Sequence, residues 1–241
     1  RSTGYHRTVL SVQALLKGFL PDIKEEDVPD IEIDDLMDPF SPHHEAYELL
    51  DNLLSKDHVI EEEKKWESLR CRLTNALIER GILEENETFK PLAWPWLYEI
   101  YICLERYDGL PEEVQDPHIK LVEENLLRRW RVLYHDHTYR EKVAGHMRRT
   151  VMESWERVMS NPVQDPPTEI EIYSAHDSTM FAIISELEHR YGIHLLRDNK
   201  VPPYASTLTL ALSKGDDESW EVQASFSGAC ATETTVERFE P

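Results

Sequence analysis

The residues best suited to chemistry form the run Ser174-Ala175-His176-Asp177. They follow an alternating segment, residues 169–173, which predicts a β-strand, and they precede apolar residues at helical spacing. A histidine at this point can donate a hydrogen bond to a phosphate oxygen, and a neighbouring carboxylic acid can protonate a leaving alkoxide. The N-terminus of the following helix also favours an anion, because its free backbone N–H groups and its dipole point toward it.

A purely structural interpretation of this run stays open. Asp177 and Ser178 are of the residue types that cap helix N-termini, and His176 then makes only a local hydrogen bond. On local sequence alone, the capping interpretation is the commoner of the two. A functional interpretation therefore needs a second group elsewhere in the chain.

A second candidate anion-binding group lies at the start of the sequence. Arg1, Ser2 and Thr3 precede apolar residues that recur at helical spacing up to Phe19. An arginine can hold two phosphate oxygens through parallel hydrogen bonds and stays charged at any working pH. Taken alone, Arg1 is more simply explained as an exposed arginine.

The elements that must position these residues come in a fixed order. A helix is followed by a short strand at residues 30–34, a helical block at 44–160, the strand before Ser174 and a further helix. Two strands at residues 208–212 and 220–226 then form a predicted antiparallel hairpin. Ligands of an α/β sheet bind beyond the carboxyl ends of the strands, which is where Ser174 lies.

This order predicts an α/β fold with a mixed sheet flanked by helices. An incomplete α/β core takes residues 1–40 and 163–241, and a mostly helical cap insertion takes residues 41–162. The formal net charge of −21 argues against nucleic acid and anionic membranes as partners. No apolar run approaches the roughly 20 residues of a membrane span.

Other chemistry-bearing residues give weaker signals. The cysteines, Cys71, Cys103 and Cys230, are far apart with no CxxC pair, so their disulfide pairing stays open. The sequon at Asn86 fits a secreted protein, although such triplets often arise by chance. The run His135-Asp136-His137 has metal-ligand residue types, but we interpret it as a polar turn between helices, since no third ligand cluster accompanies it.

Three segments of the chain together resemble the histidine acid phosphatase family. The run Arg1-Ser2-Thr3-x-x-x-Arg7-Thr8 is similar to the Arg-Ser-Thr segment of that family, and the run from Ser174 to Thr179 is similar to its His-Asp motif. Residues 202–206, Pro-Pro-Tyr-Ala-Ser, resemble the loop and strand that come next. The similarity is clear over residues 1–20 and 168–212, and the segments occur in the order found in the family.

The resemblance implies a histidine-phosphatase-like fold and a role for each site residue. Arg1 would clamp the phosphoryl oxygens, His176 would donate to the phosphoryl group as a substrate-binding and catalytic residue, and Asp177 would protonate the leaving oxygen. No metal and no other cofactor is implied. The reaction would pass through a phosphohistidine intermediate.

The nucleophile of the family is missing from this sequence. Members carry Arg-His-Gly-x-Arg-x-Pro upstream of the Arg-Ser-Thr segment, and none of the eleven histidines here stands in an Arg-His-Gly context. We therefore expect the chain to be an N-terminally truncated fragment that lacks the first strand or strands of its sheet. Alone, it is expected to be inactive.

The leading functional hypothesis is a phosphomonoester hydrolase, an acid phosphatase, acting on a phosphorylated small molecule or peptide. The alternative is a pseudophosphatase that binds a phosphorylated ligand or a protein partner without catalysis. A third hypothesis is that the chain is an acidic, mainly helical interaction module with no anion site. The resemblance favours the secretory pathway, lysosomal or extracellular, and leaves a homodimer open.

Overall fold

A computed structural model of the 241-residue chain shows a mixture of helices and strands, in agreement with the predicted α/β class. It describes residues 1–22, 24, 28–84, 91–107, 109–110, 114, 116–160, 170–196, 200–215, 218–228 and 235–239. The sequon at Asn86 and the third cysteine, Cys230, lie outside the described residues.

The described residues form eight α-helices, one 3-10 helix and three strands. In chain order these are α1 (His6–Phe19), the 3-10 helix (Asp35–Met37), α2 (Tyr47–Leu54), α3 (Asp57–Lys65), α4 (Glu67–Glu79), α5 (Trp94–Tyr107), α6 (Asp116–His135), α7 (His137–Ser160), α8 (Asp177–Tyr191), β1 (Thr207–Lys214), β2 (Trp220–Ser227) and β3 (Thr235–Phe239). None of the helices in this described part is both long enough and apolar enough to cross a membrane.

The chain divides into two compact units. Unit 1 comprises Arg1–Leu49, Asp136–Asp198 and Pro202–Pro241, and unit 2 comprises Leu50–His135 and Asn199–Val201. The predicted cap insertion ran to residue 162 and so included α7, whereas α7 belongs to unit 1. The helical pattern of α7 resembles that of the preceding helices, so the sequence does not show that it packs on α8.

The sheet of unit 1 is antiparallel in the order β1-β2-β3. β1 and β2 form the predicted hairpin, with Leu210 opposite Ala224. β3 pairs with β2 but was not predicted, because its residues do not alternate: the charged Glu237 and Arg238 stand next to each other after Val236. Beneath the hairpin, α8 packs its apolar face into a core that includes Ile184, Leu187 and Leu195.

A second set of backbone pairings joins extended segments that are distant in sequence. Ser2 forms a parallel bridge with Ile33, in which Ser2 N donates to Glu32 O at 2.9 Å and Asp34 N donates to Ser2 O at 2.8 Å. The predicted strand at residues 30–34 is thus an extended segment with one bridge. Gly4 continues the pairing, since its N–H donates to Asp35 Oδ1 at 2.8 Å, and a Cβ there would meet the same oxygen.

The other side of Ser2 pairs with the segment before His176. Ser2 and Ser174 form a parallel bridge; Ser174 N donates to Arg1 O at 3.0 Å and Thr3 N donates to Ser174 O at 3.2 Å. The predicted strand at residues 169–173 is likewise a short extended segment where it is described. Ser2 therefore lies between two parallel neighbours, and its side chain is buried.

Unit 2 is built from helices α3 to α6 and most of α2. α5 packs on α6, and the core contains fully buried side chains of both helices and of α4. Tyr101 is one of them, and its hydroxyl donates to Leu73 O at 2.6 Å. Cys71 and Cys103, on α4 and α5, are not joined in a disulfide.

A helix cap accounts for Asp136 in the run His135-Asp136-His137. α6 ends at His135 and α7 begins at His137, and the Asp136 carboxylate accepts a hydrogen bond from Tyr139 N at 3.0 Å. This is an N-cap interaction, which satisfies a free N–H of the first turn. Over the described ranges, no group of three or more His, Cys, Asp or Glu side chains could hold a metal ion.

A buried ion-pair cluster holds α7 against α8. Glu186 on α8 accepts from Arg140 Nε at 3.2 Å and from Arg148 Nη1 at 2.7 Å, and Arg190 also contacts it. The side chains of Arg140 and Glu186 are only 4% and 6% exposed. Because buried charges need partners, the removal of Glu186 would leave the buried guanidinium of Arg140 uncompensated.

We expect Glu186→Ala to lower the free energy of unfolding by about 3–5 kcal/mol, the usual effect of breaking a buried pair. Glu188→Ala on the same helix is the matched control, because Glu188 is 54% exposed and its ion pair among the described residues is with His194 on the surface. The control should change the free energy by less than about 1 kcal/mol. Urea unfolding followed by circular dichroism measures both, and equal losses would contradict a special role for the buried cluster.

Candidate functional site

Two helices of unit 1 begin at the same edge of the parallel segments. Thr3 and Ser174 are hydrogen-bonded neighbours, α1 begins at His6 shortly after Thr3, and α8 begins at Asp177 shortly after Ser174. Because the segments run parallel, the two helix N-termini leave the same edge. The positive ends of two helix dipoles therefore lie at the same edge.

His176 is the N-cap residue of α8 and lies where the N-termini of α1 and α8 meet. Its Nε2 is 3.1 Å from Thr3 Oγ1, and its Nδ1 is 3.3 Å from Arg7 Nη2. The ring of Tyr5 meets the imidazole edge-on, with ring centroids 4.9 Å apart. His176 thus joins the start of the chain to a helix more than 170 residues later.

The partners of His176 determine its tautomer. A guanidinium has only donors, so Arg7 Nη2 donates and His176 Nδ1 must be the unprotonated acceptor. In the neutral imidazole the proton is then on Nε2, which donates to Thr3 Oγ1. An additional proton can be added only at Nδ1, where Arg7 is bound.

Two buried threonines extend this hydrogen-bond chain. The Thr8 hydroxyl donates to the backbone carbonyls of Tyr5 at 2.8 Å and Thr3 at 2.9 Å. Since Thr8 uses its single proton there, the Thr3 hydroxyl donates across the 2.9 Å Thr3–Thr8 contact. Each hydroxyl has a fixed direction, and His176 is held as the Nε2–H tautomer by residues of the α1 N-terminus.

The environment of His176 keeps it neutral. Burial lowers the pKa of the imidazole, the positive charge of Arg7 lowers it further, and the carboxylate of Asp38 opposes both effects. Above its ordinary pKa, near 6.5, the ring is therefore neutral and is a good acceptor for Arg7. An anion placed between Arg7 and Nδ1 would reverse this balance, because it favours the charged imidazolium.

Tyr5 contacts both functional groups. The Arg7 guanidinium carbon lies 4.9 Å from the centroid of the Tyr5 ring, a cation–π distance. The phenol is hydrogen-bonded to the carboxylate of Asp38, whose negative charge raises the pKa of Tyr5, with a smaller contribution from burial. Asp38 is itself buried and accepts from Phe40 N at 2.9 Å.

The predicted site residues take up different positions. His176 and Asp177 lie together at the start of α8, where the Asp177 carboxylate accepts from Ser178 N at 2.7 Å.

The Arg1 guanidinium instead binds Glu32 at 2.9 Å. Arg1 lies two residues back from Thr3 along an extended segment, about 6–7 Å from the edge where His176 lies. The arginine that contacts His176 is Arg7.

Arg7, Tyr5 and Asp38 lie at the site but were not among the site residues predicted from the sequence. Arg7 did carry a physical signal: it lies in the first turn of α1, where the helix dipole disfavours a cation. A cation at that position indicates a partner that accepts hydrogen bonds or carries negative charge. Tyr5 and Asp38 gave no comparable signal, because their contact depends on the pairing of residues 2 and 33.

No model of a known protein family matches the chain. The geometry around His176 and the three segments that resemble the histidine acid phosphatases are the features that indicate a function.

The contact between Arg7 and His176 can be tested by titration. Arg7→Ala removes a positive charge beside Nδ1, so we expect the pKa of His176 to rise toward the ordinary histidine value. Arg1→Ala is the matched control and should leave that pKa unchanged, because Arg1 pairs with Glu32. Histidine NMR titration measures both variants, and an equal shift in the two would show that Arg7 has no special contact with the ring.

Proposed function

We propose that the protein is a phosphomonoester hydrolase of the histidine acid phosphatase type, and that this chain carries its anion-binding and proton-donating groups. The observation that carries the proposal is the 3.3 Å contact between Arg7 Nη2 and His176 Nδ1 at the convergence of two helix N-termini. We propose the histidine-phosphatase-like fold on the same basis. The parallel order of residues 33, 2 and 174, with a helix after each of the last two, supports it.

Phosphate would bind between Arg7 and His176. One phosphoryl oxygen replaces Nδ1 as the acceptor for Arg7, and Nδ1 gains a proton and donates to another oxygen. Nε2–H stays on Thr3, so the ring does not have to turn. Arg7 thus takes the clamping role that the resemblance gave to Arg1. A local pair of cations is needed here, since the net charge of −21 repels an anion at long range.

The chemical step follows from these positions and from the resemblance. A histidine nucleophile attacks phosphorus, the bond from phosphorus to the ester oxygen breaks, and Asp177 gives its proton to the departing oxygen. Water then hydrolyses the phosphohistidine and releases phosphate. Arg7 and the His176 imidazolium stabilise the charge on the transferring group, and no metal or other cofactor takes part.

Catalysis needs the nucleophile, and the 241 residues contain no Arg-His-Gly segment. The groups around His176 suffice for binding a phosphorylated ligand without catalysis, which is the pseudophosphatase alternative. Anion binding is therefore tested on this chain, and hydrolysis on a polypeptide that also carries an Arg-His-Gly segment. Binding without hydrolysis by such a polypeptide would decide for the alternative.

Anion binding should be coupled to proton uptake by His176. We expect sulfate, which stays a dianion from pH 5.5 to 8, to bind this chain more tightly as the pH falls. The gain approaches about tenfold per pH unit above the pKa of free His176, because one proton is taken up. Calorimetric titration in buffers of different ionisation enthalpy counts that proton.

The variants distinguish a specific site from general attraction. Arg7→Ala and His176→Ala should each weaken sulfate binding by about tenfold or more, as expected for the loss of a charge-assisted hydrogen bond. Arg1→Ala should bind as the unchanged chain does. Binding that is independent of pH and of both variants would reject the site and favour an acidic interaction module.

Hydrolysis should depend on Asp177 according to the leaving group. We expect Asp177→Asn to lower kcat by about 10²–10⁴-fold for an alkyl phosphate, whose alkoxide needs a proton. The loss should be smaller for p-nitrophenyl phosphate, because nitrophenolate leaves without one. A chelator should change neither rate; loss of activity on chelation, or an equal loss on both substrates, would contradict the mechanism.

A further inference from the structure

Tyr5 contacts each of the two groups that would hold the anion. Its ring lies 4.9 Å from the Arg7 guanidinium carbon, and its edge-on contact with the His176 imidazole is also 4.9 Å between centroids at 89°. Tyr5 makes these contacts although 46% of its surface is exposed. Neither contact is needed to bury apolar surface, so burial alone does not explain the position of this ring.

The phenol of Tyr5 is fixed from the opposite direction. Its hydroxyl is hydrogen-bonded to the buried carboxylate of Asp38, which follows the 3-10 helix. That helix is joined to the site by other bonds, since Gly4 N donates to Asp35 and the Thr179 hydroxyl donates to Met37 O at 2.7 Å. The ring is therefore attached to a part of unit 1 that also contacts α8.

The backbone of Tyr5 adds a further restraint. Tyr5 is the N-cap residue of α1, and its carbonyl accepts from Thr8 N at 3.0 Å, from Val9 N at 3.1 Å and from the Thr8 hydroxyl at 2.8 Å. Both ends of the residue are thus held. A flexible arginine in the first turn of α1 has many rotamers, and a fixed aromatic face removes most of them.

From this geometry we infer that Tyr5 is a positioning residue, which holds Arg7 and His176 at the spacing that receives the anion. The inference deepens the proposed function and rests on it, because it supposes that Arg7 and His176 bind the ligand. The ring orients the guanidinium through its face and covers part of the imidazole in a T-shaped contact. The hydroxyl keeps the ring in place through Asp38.

The charged groups around His176 make a titration informative. Arg7 faces the ring from α1, Asp38 acts on it from the segment after the 3-10 helix, and Asp177 follows it on α8. Loss of the Tyr5 ring would admit water and free Arg7 to move away. Both changes raise the pKa of His176, so a positioning role gives a signature that a loss of general stability does not.

Four variants of this chain test the inference, read by His176 NMR titration and by sulfate affinity. Tyr5→Leu and Tyr5→Gln remove the ring, and the glutamine keeps a donor for Asp38. Both should weaken sulfate binding by about tenfold, the size expected for a lost cation–π contact, and both should raise the pKa of His176. Tyr5→Phe keeps the ring and should retain most of the affinity. Tyr191→Leu, at the far end of α8 about 21 Å away, is the control with similar exposure, 41%, and should change neither quantity.

The outcomes separate this inference from the proposed function. If the ring-less variants keep the wild-type sulfate affinity and the wild-type pKa of His176, Tyr5 is not a positioning residue. If Tyr5→Phe loses as much as Tyr5→Leu, the hydroxyl and not the ring matters, and the inference is overturned. If the unchanged chain does not bind sulfate, the proposed function fails; an unchanged pKa of His176 in Tyr5→Leu and Tyr5→Gln would then show separately that Tyr5 does not hold Arg7 against the imidazole.

Discussion

Everything at the site depends on the parallel pairing of Ser2 with Ser174. Arg1 N donates to Ile172 O at 2.7 Å across a separation of 171 positions, and the bonds between Arg1, Thr3 and Ser174 continue the pairing. Because Ser2 and Ser174 are parallel neighbours, the residues that follow each of them lie at the same edge. This brings Thr3 and His176 into contact. A slip of the pairing by one residue would turn Thr3 away from His176. Register is therefore the constraint from which the tautomer, the arginine contact and the helix convergence all follow.

The rest of unit 1 fixes where α8 begins and ends. Its C-terminus stops at Gly192, whose φ of +68° is the left-handed conformation that glycine adopts without strain. Its middle is tied to α7 through Glu186, whose buried carboxylate pairs with the guanidinium groups of Arg140 and Arg148 on α7 and of Arg190 on α8. Such a cluster is weak as a source of stability but strict about geometry, because each displaced partner leaves a buried charge. The position of α8, and of its N-cap residue His176, is accordingly fixed relative to α1.

The sequence was informative where chemistry and local pattern coincide. The run from Ser174 to Asp177 was placed at the end of an extended segment and at the start of a helix, and both features are present. The choice between Arg1 and Arg7 could not be made in the same way, because a motif records spacing along the chain and not the direction of a side chain. Arg1 is on the extended segment and its guanidinium binds Glu32, whereas Arg7 is in the first turn of α1 and contacts His176. The β1–β2 hairpin was predictable from alternation, and the contact of Tyr5 with Asp38 was not, because it joins segments with no local pattern in common.

The neutral state of His176 explains how an arginine and a histidine can lie in contact. Two positive charges 3.3 Å apart would repel each other strongly, whereas a neutral imidazole with a free Nδ1 attracts the guanidinium as an acceptor. Burial lowers the pKa of the His176 ring and so keeps it neutral, whereas the carboxylate of Asp38 acts to raise that pKa. With a neutral His176, the pair of Arg7 and His176 carries one positive charge, and under the proposed function it would carry two once an anion is bound. In a chain with a net charge of −21, this arrangement would concentrate positive charge on binding without requiring a permanently repulsive pair.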